Sequence, residues 1–90
     1  MSAPEILIYT TRACPYCRMA KELLRRHDLT YEEIFVDEDF EARTEMTEKA
    51  QGRRTVPQIF FGDVHIGGCE ELYELHTSGE LDTLLAGSAR

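Results

Sequence analysis

The chain is short of several things, and each shortage excludes a class of protein. Nowhere do about 20 consecutive apolar residues occur, so no stretch is a membrane-spanning helix. Basic residues number 10 against 17 acidic ones, and the net charge of −7 argues against a general nucleic-acid binder. Cysteine is present only three times, an odd and small number, whereas a secreted disulfide scaffold uses more and in even count. The opening Met1-Ser2-Ala3-Pro4-Glu5 has neither the basic nor the apolar region of a secretory leader. Repeats, low-complexity tracts and interdomain linkers are also missing. What is left is a chain of 90 residues, 42% hydrophobic, expected to form one domain (residues 1–90) in a reducing compartment, the cytoplasm.

The charge is unevenly spread. Residues 1–31 carry five basic and three acidic side chains, and the remainder is strongly acidic. The basic group, Arg12, Arg18, Lys21, Arg25 and Arg26, surrounds Cys14-Pro15-Tyr16-Cys17. Arg25 and Arg26 read as a solvated helix face, whereas Arg12 and Lys21 stand at spacings that add positive potential near the first thiol.

Glu5 to Thr10 reads as a buried strand, with Ile6-Leu7-Ile8-Tyr9 in a row. From Pro15 to Asp28, Tyr16, Ala20, Leu23 and Leu24 recur at helical spacing. His27 is expected to be structural, satisfied at that helix's last carbonyls. Tyr31 to Val36 forms a second strand, and Asp37-Glu38-Asp39 caps a second helix that runs to Gln51 and stops at Gly52. Ala42, Met46 and Ala50 line its apolar stripe, and Glu41, Glu45 and Glu48 its wet face. Strand, helix and strand in this order make a right-handed unit with parallel strands. Gln58 to Phe61 and Val64 to Ile66 flank Gly62-Asp63, a hairpin signal, with His65 on the face opposite Val64 and Ile66. Cys69 to Ser78 is a third helix ended by Gly79, Glu80 to Ala86 a short last one, and Gly87 to Arg90 a frayed tail. The order β-α-β-α-β-β-α predicts an α/β fold: a four-stranded mixed sheet flanked by helices.

Three stretches carry chemistry. Cys14 and Cys17 lie three apart where a strand hands over to a helix, with Pro15 suited to the first turn. The positive N-terminus and its free N–H groups favour a thiolate on Cys14. A Cys-x-x-Cys also serves zinc, but Cys69, His27, His65 and His76 supply no second paired motif, so no metal site is assigned. Thr55-Val56-Pro57 precedes the third strand, and its proline reads as a turn, an edge-strand start or a cis bond that turns the Val56 backbone outward for an extended ligand. Gly67-Gly68-Cys69-Glu70 opens a helix and reads either as a plain helix start or as a carboxylate-holding one, with Glu70 facing an ammonium group.

Together Cys14-Pro15-Tyr16-Cys17, Thr55-Val56-Pro57 and Gly67-Gly68-Cys69-Glu70 resemble the dithiol glutaredoxins, nearest the short bacterial glutaredoxin 3 type, from Ile6 to about Leu85. The resemblance implies a thioredoxin fold with a cis Pro57, and no bound cofactor but glutathione as reducing co-substrate. It implies Cys14 as nucleophile, Cys17 as resolving thiol, more buried and kept protonated, and a glutathione site. There, the Val56 backbone, between Thr55 and Pro57 of the same site, pairs with the cysteinyl part, Gly68, Cys69 and Glu70 hold the γ-glutamyl end, and Arg12, Tyr16 and Arg53 line the glycyl end. Glu70 stands where the family commonly has aspartate, and Arg12 where lysine is common. The implied partners are glutathione and glutathionylated or disulfide-containing proteins, ribonucleotide reductase among those the family suggests, acted on by a monomer. Two other roles fit the same residues: an iron–sulfur carrier bridged by two Cys14 thiolates and two glutathiones, and a thioredoxin-like donor served by a flavoprotein reductase.

Overall fold

The structure, a computed structural model, describes residues 5–88, with side chains to residue 85. The elements run β1 (Ile6–Thr10), α1 (Pro15–Arg26), β2 (Glu32–Phe35), α2 (Phe40–Lys49), β3 (Gln58–Phe61), β4 (Val64–Gly67), α3 (Cys69–Ser78) and α4 (Glu80–Ser88). The four strands lie in the order β2-β1-β3-β4. β1 and β2 are parallel, with Thr10 opposite Phe35. β3 runs antiparallel to β1, with Tyr9 opposite Gln58, and β4 antiparallel to β3.

Period-two alternation along the strands sends side chains to opposite faces. Ile6 and Ile8 of β1 join Ile59 and Phe61 of β3 under Ala20, Leu23 and Leu24 of α1, Leu72 of α3 and Leu81 of α4. Tyr9 and Phe60 face the other way, against Met46 and Ala50 of α2. Helices therefore cover both faces, as the element order requires.

Termination follows the expected chemistry with small shifts. Asp39 caps α2 by accepting the Ala42 N–H at 3.0 Å. Beyond α2, Gln51 (φ 59°) and Gly52 (φ 95°) are both left-handed, and Gly52 N–H returns to Thr47 O at 2.8 Å, a Schellman-type ending. Gly79 closes α3 in the left-handed conformation. The last helix continues through Gly87 to Ser88; the rest of the expected tail lies outside the described residues.

Several side chains go elsewhere than the pattern implied. His27 caps α1 through its backbone N–H, while its ring Nε2 stands 3.0 Å from His76 Nδ1 on α3. Glu45, on the expected wet face of α2, accepts the buried Tyr9 hydroxyl at 3.2 Å. Lys21 turns to Glu33 on β2, donating at 2.8 Å, and the Thr10 hydroxyl donates to the same oxygen at 2.7 Å. Burial disfavours charge on Glu33, yet the bonds from Lys21 and Thr10 hold its carboxyl below the usual range.

Register gathers the three motifs. The C-terminal ends of β1 and β4 and the N-terminal end of β3 fall at one edge of the sheet. The loops that carry Cys14, Pro57 and Gly68 all leave from that edge.

Candidate functional site

Cys14 caps α1 from an extended conformation (φ −135°, ψ 103°), and Pro15 follows as the first helical residue. The Cys17 N–H donates to Cys14 Sγ at 3.2 Å. That N–H is one of the first-turn groups no helical carbonyl can satisfy. It meets the charge the sulfur carries when it acts as a nucleophile. Both residues are buried, Cys14 at 8% exposed less completely than Cys17 at 1%. Burial, followed by hydrogen bonding to Cys14, pushes the Cys17 thiol up to about 12. Both thiols are free.

Across from Cys14 lies the Thr55–Pro57 loop. Val56-Pro57 is a cis peptide bond, and the Cys14 thiol donates to Val56 O at 3.9 Å. The loop is held from below by a buried relay. Gln58 Nε2 donates to Thr55 O at 3.0 Å and to Thr55 Oγ1 at 3.2 Å. Gln58 Oε1 accepts from His65 Nε2 at 2.7 Å. His65 stacks on Phe60 with ring centroids 4.9 Å apart. Burial, with Arg53's charge nearby, lowers the His65 pKa, which suits a neutral ring that donates. The strand histidine is thus a support for the loop.

The third wall is the start of α3. A pocket of about 420 Å³ opens between it, the Thr55–Pro57 loop and the first turns of α1. Thr55, Val56, Pro57, Gly68, Cys69, Glu70 and Tyr16 line it, as does Arg53. Gly68 fits closely: a Cβ there would stand 3.2 Å from Pro57 O. Cys69 is 7% exposed, and burial, then the charge of Cys14, raises its pKa. Arg12 does not line the pocket. It reaches Asp37 and Glu38, each at 3.5 Å, and its guanidinium lies 5.5 Å from the Phe35 ring centroid.

Three lining residues were not singled out from sequence: Met19, Tyr73 and Glu71. Met19 follows Tyr16 by three on the same helix face, a spacing that pointed to it. Glu71 is the third residue of α3, where a capping-box carboxylate belongs. Its Oε1 accepts the Gly68 N–H at 2.6 Å and lies 3.5 Å from Arg53 Nη2. Among the described residues no cluster of three or more metal-ligating side chains forms, and no helix is long and apolar enough to cross a membrane.

A mixed four-stranded sheet, a Cys-x-x-Cys at the first helix start and a cis-proline loop facing it define a thioredoxin-fold dithiol protein. The glutaredoxin family pattern matches residues 6–66. A glutaredoxin of Pseudomonas aeruginosa is 48% identical over 83 residues, covering 92% of this chain and 98% of its own. The solution structure of a glutaredoxin from Brucella melitensis superposes with a TM-score of 0.82 at 48% identity, covering 94% of this chain and 91% of that one. A buckwheat glutaredoxin–glutathione complex gives a TM-score of 0.82 at 30% identity, covering 96% and 80%. The chain belongs to the glutaredoxin family, and so to the thiol oxidoreductases that work with glutathione.

Proposed function

We propose that the protein reduces protein–glutathione mixed disulfides, and protein disulfides, through Cys14 and Cys17. The observation that carries this reading is the placing of Cys14 Sγ beside Val56 at the edge of a pocket that ends in a helix start and Arg53. The volume is of the size that takes a small peptide ligand. A relative solved with glutathione supports the same reading.

Cys14 attacks, as thiolate, the glutathione sulfur of the mixed disulfide. The bond between the target's sulfur and glutathione breaks, the target leaves as a thiolate and takes up a proton. Cys14 now carries glutathione. A second glutathione thiolate attacks the glutathione sulfur, giving glutathione disulfide and restoring the Cys14 thiolate. In sum one glutathione thiol is consumed: its sulfur is oxidised as it joins the glutathione taken from the target, the target sulfur is reduced, and the proton passes to the target thiol. With a protein disulfide, Cys14 forms the mixed disulfide with the target, and Cys17, losing its proton, displaces the target and closes the Cys14–Cys17 bond. Two glutathiones reopen it.

In this reading Val56 backbone pairs with the cysteinyl part, Thr55 and Pro57 flank it, and Tyr16 lines the glycyl end. Gly68, Cys69 and Glu70 meet the γ-glutamyl end, and Arg53 the glycyl carboxylate. Arg12 reaches the glycyl end only by leaving Asp37 and Glu38. The protein works as a monomer in the cytoplasm on glutathionylated or disulfide-containing proteins, ribonucleotide reductase being one that the family suggests.

Glutathione-dependent reduction of a small glutathione mixed disulfide tests the proposal. Cys14→Ser is expected to abolish turnover and Cys17→Ser to retain much of it. Turnover surviving in Cys14→Ser sinks the mechanism.

A further inference from the structure

Gly67-Gly68 reads in sequence either as a plain helix start or as one that holds a carboxylate. In the fold, the space over the two glycines is taken by a carboxylate of this protein. A Cβ on Gly67, whose φ is +117°, would stand 2.8 Å from Glu71 Oε1 and 3.0 Å from its Cδ and Cγ. A Cβ on Gly68 would stand 3.4 Å from the same oxygen and 3.6 Å from Arg53 Nη2. The carboxylate of Glu71 therefore lies folded back over the glycine pair. It takes the Gly68 N–H and faces Arg53, both of them on the wall of the pocket.

These two partners are what an incoming carboxylate needs: an N–H at a helix start and a guanidinium. Glu71 holds both. The Gly68 N–H, with burial opposing it and Arg53 assisting, keeps the Glu71 carboxyl below the usual range, so the group stays charged at neutral pH. Glu70, its neighbour, is exposed on the pocket wall. Arg53 and Glu71 are both roughly 40% exposed, at 43% and 39%, so their pair is accessible and exchangeable.

We infer that the Glu71 carboxylate is a resident anion of the pocket, which the two carboxylates of glutathione must displace, the glycyl one from Arg53 and the γ-glutamyl one from the α3 start, so that Glu71 lowers the affinity for the tripeptide. The inference rests on the glutathione reading above. Glu71 acts here as a brake on binding and a specificity determinant. A ligand without carboxylates for Arg53 and the α3 start has nothing with which to exchange for it.

Glu71→Gln separates this from a supporting role. The amide oxygen still accepts the Gly68 N–H, while the charge that holds Arg53 is gone. Binding of S-methylglutathione, which has no free thiol, is measured by calorimetry on the reduced protein, together with the KM for glutathione. Both constants are expected to fall about two- to fivefold, the worth of one half-exposed ion pair. A merely structural role would not tighten binding. Unchanged or weaker binding in E71Q overturns the inference while the glutathione reading stands. Wild-type protein that binds no S-methylglutathione overturns both. A second measurement needs no variant: in the wild type, saturating S-methylglutathione is expected to shift the Glu71 side-chain carboxyl carbon and the Gly68 amide in NMR spectra. Resonances that stay in place under saturation overturn the exchange.

Discussion

Cys14 and Cys17 differ by one helical turn, and that turn divides their chemistry. Cys14 sits ahead of the helix, where its sulfur collects the Cys17 N–H. Cys17 lies inside the core, 1% exposed, and burial is the largest cause of its raised pKa. Since the thiol is the favoured native form, its contribution to stability is complete below the ordinary value of 9.0 and declines as pH rises towards about 12. In a Cys14→Ser, Cys69→Ser variant, Cys17 is the remaining thiol, and burial still acts on it. Titration by thiolate absorbance is expected to show it less than half ionised at pH 9.0, with the unfolded chain half ionised there. A midpoint at or below 9.0 contradicts that division of roles. Residue roles of this kind were partly legible in sequence. The i, i+3 spacing and the strand-to-helix position told the two cysteines apart. Glu70 and Glu71 are both acids in the first turn of α3, and the capping-box position that singles out Glu71 depends on knowing that the helix starts at Cys69. With Gly68 as the N-cap, Glu71 is the one that folds back to its N–H.

The Thr55–Pro57 loop owes its position to β3 and β4 more than to its own sequence. Gln58 is fully buried and spans from the loop to His65, so three polar groups are satisfied at once. Gln58→Ala leaves His65 and the Thr55 carbonyl without that partner. The change is expected to cost about 1–3 kcal/mol in urea unfolding and to raise the KM for glutathione as the loop loosens. A variant with wild-type KM would mean that the loop is held by the sheet alone. The elements were readable from periodicity: the apolar run of β1, the Gly62-Asp63 turn and the caps at Asp39 and Gly79 all fall where the pattern puts them. Long-range partners were not, because periodicity assigns a face and not a neighbour. Lys21 finds Glu33 on β2, His27 finds His76 on α3, and Arg12 is drawn to Asp37 and Glu38 beyond β2.

At the scale of the whole molecule, two apolar layers share one sheet. Leu23 lies in the layer beneath α1 and Met46 in the layer beneath α2, and both are fully buried. Leu23→Ala and Met46→Ala are each expected to destabilise by about 2–5 kcal/mol. Because the sheet separates them, the double variant should lose the sum to within about 0.5 kcal/mol in denaturant titration. Strong coupling would show that the layers communicate through the strands. The sheet also has two unlike ends. The Gly62-Asp63 turn lies at the end away from Cys14, where Gly62 N–H donates to Glu5 O at 2.7 Å. A strand of four residues puts about 13 Å between that turn and the pocket edge. For a designer of redox sensors, this is the attachment point. A fluorescent reporter spliced between Gly62 and Asp63 stands clear of the thiols, while the β3 strand it hangs from ends at the loop that faces them.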